Sequence, residues 1–163
     1  MNKLGLFLCF FLAISYAQSE VVDGIDVDDV YDKFVIIARG LADSNEYKCS
    51  NHLLNNRNKI LPRVAELIKN LKDKAGIGSA LTGFAFQLIL IDGIIDDCNI
   101  WDTIKKLLSI MTASGISNMG QNMKDNASEL EGLIKELTEA NNQDTRLLVI
   151  GKIIRKITGI TFK

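Results

Sequence analysis

The sequence predicts an all-α protein, a single bundle of about five or six helices in which one disulfide closes a helical hairpin. Apolar residues recur every three or four positions along almost the whole chain, which is the spacing of one helix face. No segment alternates apolar and polar residues over a useful length, so strands are not expected. The chain has 163 residues without a repeat or a linker, which favours one domain.

The first two predicted helices are marked by a cap and by a proline. Asp26 is the expected N-cap of the first, whose apolar stripe continues to Leu41. The second runs from about residue 46 to residue 72. Pro62 is expected to kink this helix or to divide it in two, because proline has no N–H to donate and its ring clashes with the preceding turn.

The third predicted helix is strongly apolar, since residues 75–91 form a run of 17 without a charge. We favour a central helix that is apolar all round because neighbours surround it, with Gly83 allowing one neighbour to approach closely. There are two alternatives: a helix that inserts into a membrane under some conditions, and a helix that spans one. A run of 17 residues is about the lower limit for a span.

The remaining predicted helices follow Cys98. Asn99 is expected to cap a fourth helix, and the glycine-containing stretch 115–120 is expected to form a turn. A fifth helix carries the apolar residues of 130–137, and the last carries those of 147–157.

The N-terminus predicts a signal peptide over residues 1–17. Lys3 supplies the basic start, an apolar stretch follows, and Ser15 and Ala17 place small residues where signal peptidase requires them. We therefore expect a single α-helical domain over residues 18–163, secreted or held in the lumen of the secretory pathway. An uncleaved anchor is the alternative, although the apolar stretch is short for one.

Two cysteines remain after this cleavage, because Cys9 leaves with the signal peptide. In an oxidising compartment, Cys49 and Cys98 most simply form a disulfide. The bridge would join the start of the second helix to the end of the third, which the glycines at 76 and 78 make antiparallel neighbours. Closing a loop of this size contributes about 4 kcal/mol in the chain-entropy model.

Neither catalysis nor a cofactor is expected. His52 is the only histidine, and no motif places a nucleophile or an acid beside it once Cys49 is in a disulfide. Two thiolates with one imidazole make a poor zinc site, and the acidic residues of 20–32 fit no EF-hand register, so no metal is expected. The formal net charge of −1 argues against a nucleic-acid partner.

The segment from Phe34 to Cys98 has a recognisable layout. It reads F-x5-G-L, then a cysteine, two apolar helices and a second cysteine, and it covers about half of residues 18–163. This layout resembles that of small secreted helical proteins of ciliates, which carry a signal peptide and two similarly placed cysteines. The resemblance implies secretion and a disulfide-linked helical core, and it implies no site residues.

The leading functional hypothesis is a secreted binding or interaction protein that carries a lipid or other hydrophobic ligand in the bundle core. Its basis is the high content of large apolar residues, with a mean hydropathy of +0.13. Spaces between bundle helices are ordinary ligand sites. The candidate wall residues are Phe84, Phe86, Leu88, Trp101 and Met111. A fully packed interaction protein without a ligand, whose protein partner the sequence leaves unknown, is the blander form of this hypothesis.

The alternative is a membrane-active protein of the defence or toxin type. Its basis is the basic amphipathic segment 145–163, which alone could lie on an anionic membrane surface. Lys152, Arg155 and Lys156 are the candidate membrane contacts, although a closing bundle helix with solvated lysines has the same pattern. Separately, Asn126 begins an Asn-Ala-Ser sequon and is a candidate glycosylation site.

Overall fold

The structure is a computed structural model that describes residues 26–72 and 76–163. These ranges contain nine helices and no strand, which confirms the predicted all-α class. The helices are α1 (Val27–Leu41), α2 (Lys48–Asn55), α3 (Arg57–Lys72), α4 (Ile77–Leu88), α5 (Ile94–Asp97), α6 (Ile100–Ile110), α7 (Ala113–Asp125), α8 (Ala127–Glu139) and α9 (Gln143–Thr158). The signal peptide lies outside the described residues, so cleavage after Ala17 stays a prediction.

Side-chain caps begin α1 and α9. Asp26 accepts hydrogen bonds from the backbone N–H groups of Asp28 and Asp29 at 3.0 and 3.2 Å, as the sequence predicts. Asn142 does the same for Thr145 at 2.8 Å. At the other end of α9, Gly159 adopts a φ of 69°, the left-handed conformation that commonly terminates a helix.

The long second helix is divided, but at Asn56 rather than at Pro62. The backbone N–H and the side-chain amide of Asn56 both donate to the carbonyl of His52 at 3.0 Å. Asparagine competes in this way for helix carbonyls and breaks the helix locally. Pro62 lies inside α3, so the expectation that it divides the helix is wrong.

The expected turn at 115–120 is also wrong, because these residues belong to α7. The turn lies earlier, at Met111 and Thr112, where the Thr112 hydroxyl accepts from the N–H of Gly115 at 3.1 Å. A Cβ on Gly115 would collide with the carbonyl of Ser109 and lie 2.9 Å from the nitrogen of Ile110. The glycine therefore allows a tight helix-to-helix junction instead of a turn.

The apolar third segment forms α4, a turn and the short α5. Ala80, Ala85 and Leu88 are buried, whereas Phe86 and Leu90 are exposed. The expectation of a helix buried all round is therefore wrong for one face of α4. A Cβ added at Gly83 would have no atom within 4 Å. No helix that the structure describes packs closely against this glycine, so the expectation of a close neighbour there is wrong as well. No helix among the described residues is long and apolar enough to cross a membrane.

The closest crossing of helices is between α1 and α9. A Cβ on Gly40 would collide with the carbonyl of Leu148 and lie 2.7 Å from the Cα of Gly151. A Cβ on Gly151 would collide with the carbonyl of Ile37 and lie 2.8 Å from the Cα of Gly40. Backbone thus packs on backbone at this crossing.

The predicted disulfide is present, with Cys49 in α2 bonded to Cys98 directly after α5 at 2.02 Å. Because α3 and α4 form the hairpin between them, the bridge joins the short helices at the hairpin's open end. It lies in a core that also contains Tyr31, Leu53 and Ile94, all at most 5% exposed.

The chain ends in a segment that we call the C-terminal segment (residues 160–163), which passes beside the disulfide. The N–H of Phe162 donates to the carbonyl of Leu41 at 3.0 Å. The carbonyl of Lys163 accepts from the N–H of Cys49 at 2.9 Å, and the N–H of Lys163 donates to the carbonyl of Asp97 at 2.8 Å. The buried ring of Phe162 completes this side of the core.

Candidate functional site

Four large apolar side chains are exposed where α4 ends and α6 begins. We call them the apolar patch: Phe86 is 60% exposed, Ile89 50%, Leu90 82% and Trp101 37%. The rings of Phe86 and Trp101 touch edge to face, with centroids 5.4 Å apart and planes at 70°. This is a preferred geometry of aromatic pairs, so two exposed rings from different helices hold each other in place.

Helical geometry explains why Phe86 and Leu90 point outward. Leu88 is buried, and a residue two positions before or after it in a helix lies on nearly the opposite side. From α4 through Leu90, the positions described as exposed are Ser79, Gly83, Phe86, Ile89 and Leu90. None of them is charged, whereas the exposed face of a surface helix is ordinarily rich in charge.

Trp101 is held in position by its chain neighbours. Cys98, three residues before Trp101, is bonded to Cys49 by the disulfide. Asn99 then adopts a φ of 45°, which turns the chain into α6. The amide of Asn99 donates to the carbonyl of Thr161 at 2.7 Å, and Ile104 is buried one helical turn after Trp101. Phe86 and Trp101 therefore stand on helices, whereas Ile89 and Leu90 lie in the turn that follows α4.

Exposed acidic residues lie close to the apolar patch along the chain. Asp92 and Asp96 are exposed just after Leu90, and neither makes an ion pair within the described ranges. Next to Trp101, the carboxylate of Asp102 lies 2.7 Å from the ammonium of Lys106. Lys105 is the exposed cation on this side of α6.

The five predicted wall residues are placed in three different environments. Leu88 is in the core, and Phe84 is half-buried against it. Phe86 and Trp101 meet on the surface, and Met111 is exposed at the far end of α6. Two open grooves, of about 150 and 350 Å³, lie elsewhere on the described surface and are lined by none of the five.

The three predicted membrane contacts of α9 all have partners within the fold. The ammonium of Lys152 lies 3.2 Å from a carboxylate oxygen of Glu136, and that of Lys156 forms an ion pair with Glu129. The guanidinium of Arg155 donates to the carbonyl of Ala42. These cations attach α9 to α8 and to the residue after α1.

Asn126 lies at the junction of α7 and α8, where its amide donates to the carbonyl of Asn122 at 2.8 Å. That amide nitrogen is the atom that would carry a glycan. Glycosylation at the sequon stays a prediction.

His52 has a partner that sequence reasoning missed. Its Nε2 lies 2.8 Å from a carboxylate oxygen of Asp97, which links α2 to α5 beside the disulfide. Sequence separation hid this pair, because only the hairpin of α3 and α4 brings its members together. Among the described residues, no three His, Cys, Asp or Glu side chains are placed to hold a metal ion.

The pKa values of Tyr31 and Arg57 are shifted by their surroundings. Burial raises the pKa of Tyr31 to about 12, and its hydroxyl donates to the carbonyl of Leu53 at 2.7 Å. Hydrogen bonds to Asp28 and Asp32 raise the pKa of Arg57, so this arginine links the start of α3 to α1 by charge.

Comparison of the chain with protein-family models, with curated proteins and with solved structures finds no match. The class that the fold and site define is an all-α protein with one disulfide and an exposed apolar patch.

Proposed function

We propose that this chain is a secreted helical binding protein that engages its partner through the apolar patch. The observation that carries the proposal is the contact between the exposed ring of Phe86 and the partly exposed ring of Trp101, close in sequence to Leu90, which is 82% exposed. Exposed aromatic clusters of this kind mark interaction sites, because they leave apolar area in water that a partner can cover.

The expected gain on binding is large for so few residues. Burial of a large apolar side chain stabilises by about 1.5–3 kcal/mol. Aromatic residues held rigidly lose little conformational freedom when a partner covers them. The disulfide and the buried Leu88 and Ile104 hold the patch in place before binding.

Secretion is part of the proposal and is supported by the N-terminal sequence and by the disulfide. Its test is the intact mass of the protein recovered from the medium of its own source. We expect a chain that begins at Gln18 and is two hydrogens lighter than the fully reduced form. A chain that keeps residues 1–17 would contradict cleavage.

The geometry favours surface binding over the two other hypotheses. A carrier would place the five wall residues around one cavity, but they point into the core, to the surface and to a helix end. A membrane-active α9 would offer its cations to lipid, but Lys152, Arg155 and Lys156 are bonded to neighbouring elements.

The proposal is tested by site-specific photo-crosslinking in the secreting cells. A photoreactive phenylalanine analogue is placed at Phe86 and, as a control, at Ile134 of α8, which is similarly exposed at 55%. We expect one dominant adduct from position 86, absent at position 134 and lost when Leu90→Ser is added. Identical adducts from both positions, or none from position 86, would contradict the proposal.

A further inference from the structure

We propose that the partner of the apolar patch is a protein surface with an apolar pocket bordered by lysine or arginine side chains. This inference rests on the proposed function, and it adds the chemistry of the partner. It is carried by the charged residues that lie beside Leu90 and Trp101 along the chain.

The exposed residues that follow Leu90 along the chain are acidic. Asp92 follows Leu90 by two residues, Asp96 lies on α5 beyond the same turn, and Asp102 is adjacent to Trp101. Asp102 and Lys106 neutralise each other as an ion pair, so Asp92 and Asp96 are the two carboxylates that stand against the exposed Lys105. On the α3 side, Glu66 accepts from the amide of Gln87 at 3.0 Å.

This arrangement matches the anatomy of protein interfaces, with an aromatic and aliphatic centre and a charged rim. The centre supplies most of the affinity, and the rim supplies orientation and a faster encounter. Asp92 and Asp96 make no ion pair with any side chain that the structure describes, so a partner's cations would find them available.

The same charges argue against other occupants. An anionic bilayer would repel a border of carboxylates within the Debye length of about 8–10 Å. A second copy of this chain would bring Asp92 and Asp96 toward their own equivalents, because a two-fold interface places the same patch on both sides. A basic partner instead gains from each carboxylate that it approaches.

Trp101 makes this inference directly measurable, because it is the only tryptophan in the sequence. The probes are three tryptophan-free amphipathic helical peptides with an identical leucine face and a polar face of lysine, glutamate or glutamine. Emission of Trp101 reports binding at the patch itself. We expect the lysine peptide to bind about tenfold more tightly than the glutamate peptide at low ionic strength, and added salt to reduce this ratio.

Variants connect the preference to the acidic border. The double substitution Asp92→Asn and Asp96→Asn should weaken the lysine peptide several-fold and leave the glutamine peptide unchanged. The matched control is Asp125→Asn with Glu131→Gln, which removes the same charge from α7 and α8, helices that carry no patch residue. This control should leave the binding of all three peptides unchanged.

The possible failures are distinguishable. Equal binding of the lysine and glutamate peptides, or no effect of the Asp92/Asp96 variant, would overturn the basic partner while binding of the glutamine peptide still supports the patch. If phosphatidylcholine vesicles shift the emission of Trp101 more than the lysine peptide does, the basic protein partner is overturned in favour of a lipid surface. No shift with any probe would overturn the proposed function and this inference together.

Discussion

Gly40 and Gly151 let α1 and α9 touch along their backbones, and each has neighbouring backbone where a side chain would begin. Tyr31 combines a buried ring with a hydroxyl that reaches the carbonyl of Leu53. At the scale of single residues, these positions tolerate almost no change, whereas Gly120 and Gly132 have open space around them.

Gly40→Ala and Gly151→Ala are expected to lower the free energy of unfolding by at least about 2 kcal/mol each, because the new methyl groups would force the helices apart. The measurement is urea denaturation followed by circular dichroism. Gly132→Ala in the exposed part of α8 is the control, and it should raise the free energy of unfolding by about 0.5–1 kcal/mol. Equal effects at Gly40 and Gly132 would contradict the crossing.

Comparison of Tyr31→Phe with the unsubstituted protein should reveal a contribution of Tyr31 to the free energy of unfolding that is lost at alkaline pH. The pKa of Tyr31 is raised from 10.0 to about 12 in the folded protein, so the folded state holds this proton more tightly than the unfolded state does. The stability from this difference is complete below pH 10 and is lost as the pH rises toward about 12. At neutral pH, the variant also leaves the Leu53 carbonyl without its partner, which costs roughly 1 kcal/mol or more.

The Tyr31 prediction is checked by urea denaturation of both proteins at a series of pH values. The difference in unfolding free energy between the unsubstituted protein and Tyr31→Phe should be constant up to pH 10 and should shrink above it. A difference that stays constant across the alkaline range would show that the pKa of Tyr31 is not raised.

At the scale of elements, α9 and the C-terminal segment that follows it hold distant parts of the fold together. α9 crosses α1 at the glycines and is bonded to α8 through Lys152 and Lys156. The C-terminal segment then runs between the end of α1, the start of α2 and the end of α5. A segment that reads as a lone amphipathic helix is therefore a structural connector.

Phe162→Ala should lower the free energy of unfolding by about 3 kcal/mol or more, because it removes a ring that is only 3% exposed and leaves a cavity beside the disulfide. Phe34→Ala is the matched control, since this ring is 42% exposed on α1, and its effect should be clearly smaller. Thermal unfolding and urea denaturation measure both. An equally small effect at both positions would argue that the C-terminal segment does not pack as described.

At the scale of the whole molecule, the disulfide joins two short helices across a sequence separation of 49. It restricts the unfolded chain, and it also holds the base of the apolar patch, because Cys98 precedes Trp101 by only three residues. Stability and the presentation of the patch therefore depend on the same bond.

Replacement of both cysteines by alanine should lower the free energy of unfolding by about 4 kcal/mol, the loop entropy of a 49-residue separation. The Trp101 side chain should also become more mobile in this variant, which would be measured as a lower fluorescence anisotropy. Met123→Ala, an exposed position on α7, serves as a control for both measurements. Unchanged stability in the double variant would contradict the assigned bridge.

Several features could be predicted because they depend on residues close together in the chain. The cap at Asp26 and the helical class follow from local hydrogen bonding and from apolar spacing. The pairing of Cys49 with Cys98 followed from there being two cysteines after the predicted cleavage. The break at Asn56 has a weaker local signal than a proline has. Proline commonly ends or kinks a helix, but the helix continues through Pro62.

The candidate site was found only in part. Phe86 and Trp101 were singled out from the sequence as members of one apolar site, and they do touch. Their expected place was a cavity wall, however, and apolar composition alone does not distinguish a buried position from an exposed one. Leu90, the most exposed of the patch residues, and the His52–Asp97 pair were missed.

The amino-acid sequence by itself determined the helical class, the cap at Asp26 and the disulfide, because these depend on neighbours along the chain or on a choice between very few partners. Only the tertiary structure decided which side of α4 faces water, where two helices meet at glycine, and which charges on α9 are already paired. These features depend on packing between helices that are far apart in the chain. The apolar face of each helix could be covered by any of several other helices, and the local sequence does not say which. The packing buries Leu147, Val149 and Gly151 of α9 and leaves the four residues of the apolar patch exposed.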